Sequence, residues 1–227
     1  MLLSNNYNEM CNSIASIFTK TIKDSLFQQN KVSLVLCGGK TPKLLYELLS
    51  KENFEWQNIV ITTCDEYLIE SDSIKRPTNL IKDTLLKNSA SKAKFYPLET
   101  LVDSNINIKG KSFFTSEHFY SPDILLLGLG IQGHTASIFP DAINIEELLY
   151  GNEDVFLVQS KLAESQRLTI GLNSLFKAKK IFFIIQGTEK LKILTSSILA
   201  SNIQTAPVKA FLDNKLDTLF FWCPDDK

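Results

Sequence analysis

The sequence lacks a basic excess, a cysteine pair and a long apolar run, and each absence removes a class of function. Its 24 Lys and Arg face 25 Asp and Glu, for a formal net charge of −1. Nucleic acids and anionic membranes are bound through a surplus of positive charge, so neither is expected as a partner. A local basic pocket for a small anion is still compatible with that balance. The four cysteines (Cys11, Cys37, Cys64 and Cys223) are scattered, with no C-x-x-C. Metal-ligand spacing and a disulfide framework are both missing, which predicts no metal site and a reducing compartment. No apolar stretch approaches the roughly 20 residues that span a bilayer. The opening MLLSNNYNEM has neither the basic leader nor the apolar core of a signal peptide. A cytoplasmic protein is expected.

What is present is an ordinary globular composition, 44% hydrophobic and 22% charged over 227 residues. VSLVLC (32–37), NIVITTC (58–64), DILLLG (123–128), VFLVQ (155–159), KIFFIIQ (180–186) and TLFFWC (218–223) are apolar throughout rather than alternating, as buried parallel strands are. Helical patterns lie between them. Residues 6–29 carry Ile14, Ile17, Phe18, Ile22 and Leu26 at helical spacing, followed by stretches at 43–50, 79–87, 172–178 and 189–200. Residues 103–120 are polar and aperiodic, a loop or short helix. The alternation predicts an α/β chain of three layers, α/β/α, around an open and mostly parallel sheet with Rossmann-like winding. No linker rich in Pro, Gly or Ser interrupts it, so residues 1–227 read as a single domain.

Ligands of such sheets bind beyond the carboxyl ends of the strands, where the winding reverses. The segments there are CGGKTP, DEY, GLGIQGH and QGTEK. In the first, Gly38 and Gly39 permit a tight turn with exposed amides, Pro42 suits the start of a helix, and Lys40 and Thr41 add a charge and a hydroxyl. The same composition also serves plain strand-to-helix turns. A Walker A loop is excluded because Leu34 stands where its first glycine is required. Asp65 and Glu66 leave a strand side by side, so one is directed to the cleft and the other to solvent or backbone.

GLGIQGH admits two readings. Gly128, Gly130 and Gly133 spell the G-x-G-x-x-G of a dinucleotide turn, which needs a helix from the third glycine and an acid at the end of the next strand. Glu153 and Asp154 precede the next apolar run instead. The other reading takes His134 as a general base, since imidazole titrates near neutrality. His118, the only other histidine, stands in SEHFYSPD without the glycines and preceding strand end that accompany His134, and reads as structural. Arg167 in SQRLTI and Lys190 in GTEKLKIL are candidate anion ligands, the former as a bidentate fork and the latter as a mobile point charge. The aromatic residues of KIFFIIQ and TLFFWC read as core.

In this order and spacing, CGGKTP, CDEY, GLGIQGHTASIFP, QRLTI and QGTEK resemble the 6-phosphogluconolactonases, over roughly residues 30 to 222. That family shares its fold with the glucosamine-6-phosphate deaminases. The segment G-x-x-G-H-T-A-S-x-F-P is the specific part, because deaminases usually read G-H-I-A-F-N-E-P there. The resemblance implies hydrolysis of 6-phosphoglucono-1,5-lactone to 6-phosphogluconate, in the oxidative pentose phosphate pathway, without metal or cofactor. It implies His134 as the base, Asp65 as the first acid of the D-E pair, and Gly38, Gly39, Lys40 and Thr41 as a phosphate or oxyanion cradle. Gly130 and Gly133 would let backbone approach the sugar phosphate, and Arg167 and Lys190 match basic positions that hold phosphate. A monomer or weak dimer acting on a small sugar phosphate is expected. An aminosugar-phosphate isomerase-deaminase and a non-catalytic sugar-phosphate-binding regulator stay open as alternatives.

Three positions depart from the lactonase pattern. Tyr67 replaces the arginine of D-E-R, Gln132 replaces the aspartate of D-G-H, and C-G-G-K-T-P replaces S-G-G-S-T-P. Gln132 at the catalytic loop offers His134 only a neutral acceptor where a carboxylate would stabilise imidazolium. Lys40 is complementary to the loss at Tyr67. If it restores the missing charge, Lys40→Ala raises the Michaelis constant for the phosphorylated lactone; an unchanged constant removes Lys40 from binding.

Overall fold

A computed structural model describes residues 1–101, 121–214 and 217–226. The reading of residues 103–120, and of His118 within them, lies outside the described residues.

Seven strands form a parallel sheet in the order β1-β10-β9-β6-β2-β3-β5. They are β1 (Leu2–Leu3), β2 (Val32–Leu36), β3 (Ile59–Thr63), β5 (Lys94–Phe95), β6 (Ile124–Gly128), β9 (Lys180–Gln186) and β10 (Thr218–Cys223). Every residue of β2 and β3 is buried, which is why their runs carry no polar alternation. From β2 the chain winds outward through β3 to β5. It then returns to the other side of β2 with β6, pairing Leu34 with Ile124, and continues through β9 to β10. The winding reverses between β2 and β6.

Adjacent phenylalanines in β9 show how both faces are covered, because successive side chains of a strand point to opposite sides. Phe182 meets Phe18 of α1 (Tyr7–Gln29), ring centroids 5.2 Å apart, and Phe183 meets Phe211 of α7 (Lys209–Asp213) at 5.2 Å. Helix α1 buries Met10, Cys11, Ile14, Phe18 and Ile22 on one face. Asn6 caps its start by accepting from the Glu9 amide, and Asn30 ends it in the left-handed conformation at φ 54°. The remaining helices are α2 (Lys43–Leu49), α3 (Pro77–Thr84), α4 (Ile145–Tyr150), α5 (Leu172–Leu175) and α6 (Thr188–Ile198).

One strand assignment is corrected. Residues 155–158 form β7, but not in the parallel sheet: β7 belongs to a separate antiparallel sheet of order β4-β8-β7, with β4 (Asp65–Tyr67) and β8 (Arg167–Ile170). β7 and β8 are almost wholly buried, so neither shows the alternation that would mark an antiparallel strand. An apolar run reports burial, not direction. The small sheet stands at the carboxyl end of β3, where the Ile170 amide donates to the Cys64 carbonyl at 2.9 Å.

β4 turns its acids apart. Asp65 and Tyr67 face the cleft, while the fully buried Glu66 points the other way and accepts from the amides of Tyr67 (2.8 Å) and Thr78 (3.0 Å) and from Arg76 Nε (3.3 Å). Arg76 also pairs with Glu99. Glu66 thus answers two amides and one cation, tying the small sheet to the first turn of α3. Removing it costs Arg76 one of its two carboxylates and leaves two amides without an acceptor, each loss of that kind typically worth about 1–3 kcal/mol. Glu66→Ala is therefore expected to lower the unfolding free energy in urea by about 3 kcal/mol, and a loss below about 1 kcal/mol would contradict this role.

Candidate active site

The glycine loops of β2 and β6 meet at the reversal point and line one cleft. Cys37, Gly38, Gly39, Lys40 and Thr41 form one wall, Gly128, Leu129, Gly130 and His134 the opposite wall, and Asp65, Tyr67 and Lys190 close it. This inner cleft holds about 160 Å³. It opens into a wider chamber of about 870 Å³ that shares Gly39, Lys40, Tyr67 and His134 with it and adds Lys43, Gln132, Phe139 and Arg167. Together they reach the size of ordinary small-molecule sites.

The 38–41 loop is held from beneath by two tyrosines. Tyr46 Oη donates to the Cys37 carbonyl at 2.6 Å, and Tyr7 Oη to the Thr41 carbonyl at 2.9 Å. The amides of residues 38–41 donate to no acceptor among the described residues, so they remain available to an anion. A Cβ on Gly38 would come within 2.6 Å of Pro77 Cγ, so only glycine lets this loop pack on the start of α3.

The loop after β6 does not continue as a helix from Gly133; α4 begins only at Ile145. It folds back on itself instead. The Gly130 amide donates to the His134 carbonyl (2.9 Å), the Gly133 amide to the Gly130 carbonyl (3.0 Å), and Thr135 Oγ1 to the Gly128 carbonyl (3.0 Å). The imidazole then lies against the Gly130 backbone, where an added Cβ would fall 2.0 Å from its Cε1. Gly130 is thus the seat of the His134 ring. Phe139 stacks on that ring, centroids 4.0 Å apart.

His134 Nδ1 is buried without a hydrogen-bond partner, and burial, reinforced by the charges of Arg167 and Lys190, pushes the imidazole pKa down to about 4. The ring is neutral near pH 7, the form that accepts a proton. Gln132 lines the outer chamber but makes no hydrogen bond to His134. Asp65 lines the inner cleft, though its carboxylate accepts from Ser137 Oγ (2.6 Å) and Cys64 Sγ (3.4 Å) rather than meeting His134. Burial lifts the Asp65 pKa, opposed by the Ser137 hydrogen bond and by Arg167.

The basic groups approach from three elements. Lys40 is exposed on the β2 loop, Arg167 is buried at the start of β8, and Lys190 sits in the first turn of α6. Burial pulls the Lys190 ammonium below its ordinary value. None of the three pairs with a carboxylate among the described residues. α6 itself is anchored by the C-terminal segment, with Asp225 Oδ2 accepting from the Thr188 amide at 3.1 Å. A neutral base, unengaged amides and unpaired cations around one cleft can hold a phosphorylated ester and activate water beside it.

Residues 5–221 match the family model described as glucosamine-6-phosphate isomerases/6-phosphogluconolactonase. The chain belongs to this family. A 6-phosphogluconolactonase of Helicobacter pylori is 29% identical over 222 residues, covering 96% of this chain and 95% of that protein. One from Neisseria meningitidis is 27% identical over 214 residues, covering 92% of each. The crystal structure of a 6-phosphogluconolactonase from Shewanella baltica superposes with a TM-score of 0.86 at 26% identity, covering 98% of this chain and 96% of that one.

Within this glucosamine-6-phosphate isomerase/6-phosphogluconolactonase chain, the structure brings His134, Asp65, Lys190, Gly38, Gly39, Lys40, Thr41 and Gly130 to the inner cleft. It sets Gln132 and Arg167 on the outer chamber, and Gly133 in the turn behind His134. Sequence reasoning missed Ser137 as the partner of Asp65, the two tyrosines under the glycine loop, and Phe139 between His134 and Arg167. Ser137 and Phe139 lie within the HTASIFP segment, but their partners there cannot be read from spacing, and nothing local marks Tyr7 or Tyr46.

The folded pKa of His134, about 4, lies below the ordinary imidazole value of 6.5, so between those values the unfolded chain binds more protons. Its contribution to stability is therefore complete above about pH 6.5 and falls away as the pH drops towards 4. By NMR, His134 is expected to titrate near pH 4, and to move upward in Lys190→Met without reaching 6.5, since burial remains the larger cause. A midpoint near 6.5 in the parent protein would contradict the arrangement.

Proposed function

We propose that the chain hydrolyses 6-phosphoglucono-1,5-lactone to 6-phosphogluconate. The observation that carries this reading is a neutral imidazole seated against Gly130, its Nδ1 without a hydrogen-bond partner and the basic groups around it without a carboxylate partner among the described residues. The segment HTASIFP and the lactonases among the relatives favour this over deamination.

In this scheme Lys190, Arg167 and Lys40 hold the phosphate, which fixes C1 of the lactone beside His134. The imidazole removes a proton from water as its oxygen attacks C1. The tetrahedral oxyanion is met by amides of the 38–41 loop. Collapse breaks the bond from C1 to the ring oxygen, the imidazolium returns its proton to that oxygen, and the open-chain acid is released. Gln132 does not orient the base here. Asp65 acts through Ser137, holding the HTAS segment in place, and the charge that forms on His134 is transient. A lactone is already activated towards attack, so a base without a carboxylate partner suffices.

The test supplies freshly prepared lactone and follows its loss above the spontaneous rate. His134→Ala is expected to lower kcat by about 10²–10⁴-fold, the range of general-base assistance. Equal rates with and without protein would defeat the proposal in favour of a binding protein, and ammonia release from glucosamine 6-phosphate would defeat it in favour of a deaminase.

A further inference from the structure

Arg167 is a buried cation, 8% exposed, with no carboxylate partner among the described residues and with Nε buried and lacking an acceptor. A buried charge is normally paired. Asp65 acts on it through its charge without pairing, and the contacts a paired counter-ion would make are made by aromatic faces. The guanidinium carbon lies 4.0 Å from the centroid of the Tyr67 ring and 5.2 Å from that of Phe139. The first contact is built into the backbone, because Tyr67 and Arg167 are register partners in the antiparallel pair of β4 and β8. Phe139 also stacks on His134. Tyr67, Arg167, Phe139 and His134 therefore form one column, with the cation at a set distance from the base.

We propose that Tyr67 is a positioning residue, whose ring holds the Arg167 guanidinium as a counter-ion would while leaving its N–H fork free for the substrate's phosphate. The inference rests on the sugar-phosphate reading above. A carboxylate at position 67 would hold Arg167 more strongly but would occupy the fork bidentately and compete with phosphate. An aromatic ring attracts the cation through its face and takes none of its hydrogen bonds. Its departure from the lactonase pattern is therefore tied to Arg167, and not only to the charge on Lys40.

Three forms of the full chain decide it: the parent, Tyr67→Phe and Tyr67→Leu, with Tyr67→Gln replacing the leucine variant if thermal denaturation shows that variant unfolded. Titration calorimetry with 6-phosphogluconate is expected to show roughly tenfold weaker binding in Tyr67→Leu, within the range of a desolvated cation–π contact, and a change under about twofold in Tyr67→Phe. In kinetics the loss in kcat/KM is several-fold larger for the phosphorylated lactone than for unphosphorylated glucono-1,5-lactone. Unchanged 6-phosphogluconate affinity in Tyr67→Leu overturns the inference. So does an equal loss for phosphorylated and unphosphorylated lactone, or a phenylalanine variant as weak as the leucine one. If the parent binds 6-phosphogluconate in a Tyr67-dependent way but turns over no lactone, the proposed reaction fails and the role of Tyr67 stands.

Discussion

The pairing of β6 with β2, Leu34 opposite Ile124, is the constraint on which the site depends. It reverses the winding of the sheet and sets two glycine loops, distant in the chain, on either side of one cleft. With β6 elsewhere, the amides of residues 38–41 and the imidazole of His134 would have no common ligand. The buried core is the foundation of that pairing. β2 and β3 are buried along their whole length, and the phenylalanines of β9 tie helices to both faces, so the register of the strands is strongly specified.

The electrostatics of the cleft follow from what surrounds its basic groups. The acids near it are engaged elsewhere: Glu66 with Arg76 and two amides, Asp65 with Ser137. Arg167 and Lys190 pair with no carboxylate among the described residues, and their charges add to burial, the larger cause, in lowering the His134 pKa. One arrangement thus favours both an anionic ligand and a neutral imidazole. Phosphate entering the cleft would offset the two charges and make it easier for the imidazole to become positive while water attacks, so binding and proton transfer reinforce each other.

Much of this was legible in the sequence. The buried strands at 32–36, 59–63, 124–128, 180–186 and 218–223 are continuous apolar runs, and the helix at 7–29 repeats its apolar residues at helical spacing. The glycine loops stood at strand ends, where the rule for parallel sheets expects ligands. The run at 155–158 was misassigned to the parallel sheet because burial erases the alternation by which antiparallel strands are known. The short strands β1, β4, β5 and β8 escaped for a related reason: two to four residues are too few to show a period.

By itself the sequence determined which residue types were available at each strand end: glycines that allow close approach, one histidine beside them, and basic residues in two later segments. These follow from local chemistry and spacing. Only the tertiary structure decided how they are used. Antiparallel pairing brought Arg167 onto Tyr67, a hundred residues earlier in the chain, and folding of the β6 loop carried Ser137 to Asp65 and Phe139 to His134. The first two join segments far apart in the chain and the third depends on how one loop folds, and a linear sequence carries no signal for either. Gln132, conspicuous in the sequence because it stands where an acid is usual, makes no hydrogen bond to the base, while Tyr67, the other departure, lies against the cation beside it.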